Sequence, residues 1–329
     1  MKLTSVLIIG SAFTLAACSG GGYTDNTQPP PAQNEAIIEA ANAMMIAGIA
    51  ADAALETGEL GGLTDLTGAT ASTRGGVNKA APMAAASKVV QVTLGGGAIN
   101  YIPFGPETAP CAVSGFVTIF GDIADPITFS AGDVINVDSD MCDDGTGSVV
   151  DGLLEMTITN FDGDLFSSAF LFGVDLVVTD FTVMEEGETN TASGDISTTV
   201  DTRAPPMVAG SVSGDSFAVT GMDSTESIRE FLTTYTEDSS IFPLAWTNNS
   251  SGIVDSTDLE GFVTYSTPLT FQGSGEDNPN IGELLVAGSD GATLLMVTID
   301  NIFVDIFADY NGDGEIDEIL STTWADLEL

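Results

Sequence analysis

Between Ala308 and Glu318 the chain reads ADYNGDGEIDE, and side chains bearing oxygen recur at every second position: Asp309, Asn311, Asp313, Glu315 and Asp317. Carboxylate and amide oxygens at that spacing, on a chain able to bend at Gly312 and Gly314, suit a hard cation that takes several oxygen ligands. Glu318 extends the acidic run. Asn311-Gly312 is also a strong hairpin-turn pair, so the same residues equally describe a solvated acidic turn.

The stretch Asp309 to Ile316 resembles the DxNxDGxI pattern of EF-hand and dockerin calcium loops. The resemblance implies that Asp309, Asn311 and Asp313 turn side-chain oxygens inward, that Gly314 allows the sharp bend and that Glu315 offers its backbone carbonyl. It further implies that Ile316 pins the loop to the core and that Asp317 adds an oxygen, directly or through water. Two departures are visible. Leu320 stands where the family carries a bidentate acid, with Glu318 as the substitute, and the flanks read as strands rather than helices. A missing bidentate ligand implies weak calcium binding, in the range of roughly 0.1–1 mM, and a structural brace rather than a catalytic centre.

Other chemistry is narrowed by what the chain lacks. There is no histidine, which removes Ser-His-Asp and Cys-His nucleophilic systems and zinc sites built on imidazole. No GxSxG elbow, Walker loop or GxGxxG fingerprint occurs. Carboxylate chemistry of the glycosidase kind remains as an alternative, but no pair stands out among 48 Asp and Glu residues. Against those stand 6 Lys and Arg, a formal net charge of −42. Such a field repels nucleic acid and anionic membrane surfaces and favours cations, basic partners and solubility in salt. Adaptation to a saline medium accounts for the same excess.

At the N-terminus, Lys2 precedes a short apolar run, Val6 to Leu15, and then Leu15-Ala16-Ala17-Cys18. This resembles the lipobox of bacterial lipoproteins at all four positions. The resemblance implies removal of residues 1–17, a diacylglyceryl group on the Cys18 sulfur and acylation of the new N-terminus, which together give a stable membrane anchor. Ser19 after the cysteine implies sorting to the outer membrane, facing periplasm or cell surface. An ordinary secretory signal with a chance cysteine is the competing reading. In an exported chain Cys111 and Cys142 form an even pair, expected to be a disulfide. Closing a loop of about 32 residues contributes roughly 3.5–4 kcal/mol on the chain-entropy model. Two free thiols or a metal pair is the alternative, without a CxxC or a histidine to support it.

These residues must be positioned by the remaining chain. Residues 18–34 form a Gly-rich then Pro-rich tether. Residues 35–56 read as an amphipathic helix with Ile37, Ala41, Met44, Met45, Gly48 and Leu55 on one face, imperfect because Asp52 interrupts it and Ile46 falls outside. No Lys or Arg lies on its polar face, so packing against the main domain or a partner helix is favoured over a membrane-surface role. Residues 57–87 read as a flexible connection rich in Gly, Ala and Thr. From 88 to 329 short alternating runs such as Leu154 to Thr159 predict about a dozen antiparallel strands. A sheet that large is expected to curl into a barrel, sandwich or roll. Thr225 to Thr234 is a weak helical candidate. Gly115-Phe116-Val117-Thr118 and Gly261-Phe262-Val263-Thr264 echo each other, which suggests either convergent strand composition or a duplication with a boundary near Asp201 to Pro206.

The functional expectation is a membrane-anchored acidic lipoprotein with a non-enzymatic β domain. Its role is binding of an apolar, glycan or protein ligand, or envelope structure. A carboxylate-based hydrolase and a calcium-dependent adhesin are the alternatives.

Overall fold

The computed structural model describes residues 34–57, 105–124, 130–143, 145, 147–163, 169–185, 188–222, 224–275 and 277–327. The lipobox with Cys18, the tether before residue 34, and all of the expected connection except Thr57 lie outside the described residues.

Among the described residues, alternation of apolar with Ser, Thr and Asp side chains is realised as fourteen strands in one sheet, each antiparallel to the next in chain order. They are β1 (Glu107–Pro110), β2 (Ser114–Asp122), β3 (Val134–Asp143), β4 (Ser148–Gly163), β5 (Phe170–Glu185), β6 (Glu188–Asp201) and β7 (Met207–Thr220). Then follow β8 (Thr225–Asp238), β9 (Ala245–Ser256), β10 (Gly261–Ser274), β11 (Ile281–Ala287), β12 (Thr293–Thr298), β13 (Phe303–Asp309) and β14 (Glu318–Thr323). The sheet is a meander with β1 and β14 at its two edges, so it is curled rather than closed into a barrel. Thr225 to Thr234 is strand, not helix. There Ile228, Phe231 and Thr233 are buried with one bulge between them, a strand pattern that its Glu and Arg residues disguise. The span Asp201 to Pro206 is the β6–β7 turn within one unit covering residues 34–329, and the echoing segments are β2 and β10 of the same sheet.

The curl has a local cause. Register shifts fall at Ser139/Cys142, Asp151/Leu153, Val178/Phe181, Gly194/Ser197 and Arg229/Leu232, in a line from β3 to β9. Met141, Gly152, Asp180, Gly194 and Glu230 have positive φ along that line. Each bulge bends its strand and increases the local twist, and together they crease the sheet. Backbone N–H groups along the crease find side-chain acceptors on neighbouring strands: Met141 on Asp151 Oδ1 (3.1 Å), Asp180 on Ser193 Oγ (3.1 Å) and Asp215 on Asp195 Oδ2 (2.8 Å).

Helix α1 is shorter than the expected 35–56 span and occupies Ala43–Glu56. Residues before it run along the sheet. Glu35 bridges Phe262, and Ala36 donates its N–H to the Phe262 carbonyl (2.8 Å). Ala36 and Ile38 are buried while Ile37 is 63% exposed, a strand alternation in three residues. Asn42 closes the turn that follows: its Oδ1 accepts from Glu39 N–H (2.8 Å) and its Nδ2 donates to the Ile37 carbonyl (2.9 Å). The helix is not amphipathic in the expected sense. Ala43, Ile46, Ala47, Ile49, Ala50, Ala53 and Ala54 are all buried, and Met44 points outward. A helix apolar on most sides belongs inside. It packs against β9 to β12 and the short C-terminal helix α2 (Trp324–Leu327), and its alanines and Gly48 allow the close approach.

Candidate functional site

Asp309 ends β13 and Glu318 opens β14, so the acidic stretch is the loop of the last hairpin. Asp309, itself buried, organises it: Oδ1 accepts from the N–H of Gly312 (2.8 Å) and Asn311 (3.3 Å), and Oδ2 from Gly314 (2.7 Å). Asn311 Oδ1 accepts from Asp313 N–H and Asp313 Oδ1 from Glu315 N–H, both at 2.9 Å. Asp317 Oδ2 accepts from Tyr310 N–H (2.8 Å). Gly312 and Gly314 have positive φ, which turns the chain back on itself twice. Burial works to raise the Asp309 carboxyl, but the N–H donors of Gly314, Gly312, Asn311 and Asp313 outweigh it and hold the group below the usual carboxylate range.

These oxygens are hard donors of the kind calcium takes. Among the described residues no three His, Cys, Asp or Glu side chains gather as a metal-binding group. The bonds above turn the Asp309, Asp313 and Asp317 carboxylates to backbone amides of the loop. Glu315 and Ile316 are exposed, so Ile316 does not pin the loop to the core. Glu318 is engaged with Tyr310, whose hydroxyl donates to Glu318 Oε2 (2.8 Å). Burial, that bond and the charges of Glu318 and Asp317 push the Tyr310 phenol up to about 12. The Tyr310 contact was missed from the sequence; its only signal was the eight-residue spacing across a turn.

The second candidate is the outward face of β6 to β10. One row across the strands reads Thr199, Ser211, Thr234 and Asn249, and Asn249 Nδ2 reaches Thr270 Oγ1 (3.3 Å) on β10. The next reads Asp201, Ala209, Thr236, Thr247 and Gln272, with the Thr236 and Thr247 hydroxyls bonded (2.7 Å). Adjacent strands lie about 4.8 Å apart, so five of them present hydroxyl and amide groups over about 19 Å. Hydroxyls and amides both donate and accept, and each retains capacity beyond the bonds it makes to its neighbour.

Cys111 and Cys142 are joined in a disulfide with Cα atoms 5.5 Å apart, as expected, fastening the end of edge strand β1 to β3. Arg203 pairs with Asp162 and Asp201 at 2.7 and 2.8 Å, and its hydrogen bonds draw the exposed Asp201 carboxyl down to about 2. Burial raises the carboxyls of Glu237 and Asp255. They sit on opposite faces of the sheet, Glu237 with inward Tyr235 and Asp255 with outward Phe262, so they are not a hydrolytic pair. A cleft of about 10 Å³ beside α1, lined by Asp52, Asn278 and Trp324 among others, has room for one water. No helix among the described residues is long and apolar enough to cross a membrane. Comparison with known protein families, characterised proteins and solved structures returns no match.

Proposed function

We propose that the chain is a lipid-anchored envelope protein that works by contact rather than catalysis, laying the outward face of β6 to β10 on a neutral, hydroxyl-rich polymer such as a surface glycan. The observation that carries this reading is the row Thr199, Ser211, Thr234 and Asn249, continued by Thr270, which presents a hydroxyl or amide donor and acceptor on each of five adjacent strands. A chain of −42 repels polyanions, so a neutral polymer is the partner that such rows can hold. Lipidation at Cys18 holds the domain at the outer membrane. Calcium, supplying charge neutralisation at Asp309, Asn311, Asp313, Asp317 and the Glu315 carbonyl, braces the last hairpin. The test is co-sedimentation of the full chain with insoluble cell-surface polysaccharide. Lysines at exposed Thr234 and Asn249 should weaken retention about tenfold or more by blocking the middle of that row, since several hydrogen bonds of about 1 kcal/mol are lost together. Retention equal to wild type would remove this face from the function.

A further inference from the structure

The inward face of the same strands has a different chemistry. Tyr235 and Glu237 of β8 point inward two residues apart, and their cross-strand partners on β9 are Asn248 and Trp246. Tyr235 lies over Gly210 of β7 and Trp246 over Gly273 of β10, where a Cβ at either glycine would run into the ring. Each ring therefore packs against the neighbouring backbone on the inward side of the sheet. Between them Asn248 is 7% exposed, and its Oδ1 accepts no hydrogen bond. A buried amide oxygen left unpaired costs about 1–3 kcal/mol, and a donor brought by a ligand would remove that cost.

We propose that Glu237, Asn248, Tyr235 and Trp246 form a binding site for a primary alkylammonium group. A carboxylate and two electron-rich rings attract a cation, and the amide oxygen can accept from an N–H that a quaternary ammonium lacks. No cationic side chain among the described residues is placed to compensate the Glu237 charge. Among the described residues the cationic side chains are Arg203, held by Asp162 and Asp201, and Arg229, which lies 5.3 Å over the Phe262 ring on the outward face. Burial raises the Glu237 carboxyl, and the charge of Glu237 adds to burial in pushing the Tyr235 phenol to about 12. A bound cation relieves both. A sugar would supply O–H donors to Asn248 and Glu237 but no positive charge to balance the carboxylate. This site goes beyond the polymer contact and lies on the other side of the sheet.

The experiment is calorimetric titration of the full chain with n-butylammonium chloride, n-butanol and tetramethylammonium chloride. Binding of n-butylammonium is expected, with n-butanol at least about tenfold weaker because it lacks the charge. Glu237→Gln should weaken n-butylammonium at least about tenfold. Asn248→Leu should keep the melting temperature, because it removes an unmet polar atom, yet abolish the preference over tetramethylammonium. The lysine variants at Thr234 and Asn249 should leave n-butylammonium binding unchanged, which separates this site from the outward face. Equal affinity for n-butanol, no binding of n-butylammonium to the folded chain, or an unaffected Glu237→Gln variant would each overturn the proposal.

Discussion

Asp309 shows how a single side chain sets up a loop. Its two carboxylate oxygens accept from the N–H groups of Asn311, Gly312 and Gly314, and those bonds prevail over the burial that opposes ionisation. The folded carboxyl therefore releases its proton at lower pH than the unfolded one. Its contribution is fully present above the unfolded value of about 3.9 and is lost as pH falls through that value towards the folded one. Asp309→Asn is expected to melt below wild type at pH 7, and the gap should narrow at pH 3. Scanning calorimetry at both values measures it; a gap that does not change with pH would assign the loss to shape rather than charge. At this scale the spacing of Asp309, Asn311 and Asp313 was legible, because a local turn motif depends only on neighbours in sequence. The Tyr310 hydroxyl on Glu318 was not, because it depends on the β13–β14 register that pairs Ala308 with Glu318. Asn248 was equally silent: its unpaired oxygen exists only once Tyr235 and Phe271 flank it from two other strands.

Among the elements, the strands were easier to read than the helix. A long run such as β5 declares its faces through Val174, Leu176 and Val178, whereas Ala36 and Ile38 offer two alternating positions, too few to separate strand from helix. The apolar stripe of α1 misled for another reason. Alanine scores as weakly apolar, yet five alanines among Ala43, Ala47, Ala50, Ala53 and Ala54 are fully buried, because their small size lets the helix lie close to β9 and β10. Gly48 is the tightest point of that packing, with the Leu327 backbone carbonyl where a Cβ would sit. In an isolated helix Gly48→Ala would gain up to about 1 kcal/mol. Here the added methyl must push α2 away, and overpacking of this kind costs about 1–3 kcal/mol. The variant is expected to be less stable by roughly 1 kcal/mol or more in urea unfolding. A variant as stable as wild type would mean that α1 and α2 can separate freely. The disulfide acts on the opposite end of the sheet, where β1 is a four-residue edge strand with all its residues exposed and little else to hold it.

Across the whole molecule the dominant facts are an open sheet and a charge of −42. Alternation announced antiparallel strands, but whether a curled sheet closes is decided by bulges lined up over several strands, which no local pattern displays. The charge has a direct consequence for stability. Self-repulsion opposes the compact state, and raising sodium chloride from about 10 mM to 1 M shortens the screening length from about 30 Å to about 3 Å. A gain of at least about 1 kcal/mol is expected, which moves the midpoint of a domain of this size by roughly 2–4 °C. Calcium should act on top of that screening. At ten times its dissociation constant it stabilises by about 1.4 kcal/mol, and for a millimolar site this needs about 10 mM. Melting curves of the full chain in 10 mM calcium chloride and in sodium chloride of equal ionic strength separate the two effects. The calcium curve should lie higher for wild type, and Asp313→Ala should bring it down onto the sodium curve while keeping the response to salt. Coincident curves for wild type would leave Asp309 to Asp317 as a solvated turn, and a midpoint indifferent to sodium chloride would mean that the folded chain already spaces its carboxylates widely enough to bear their charge.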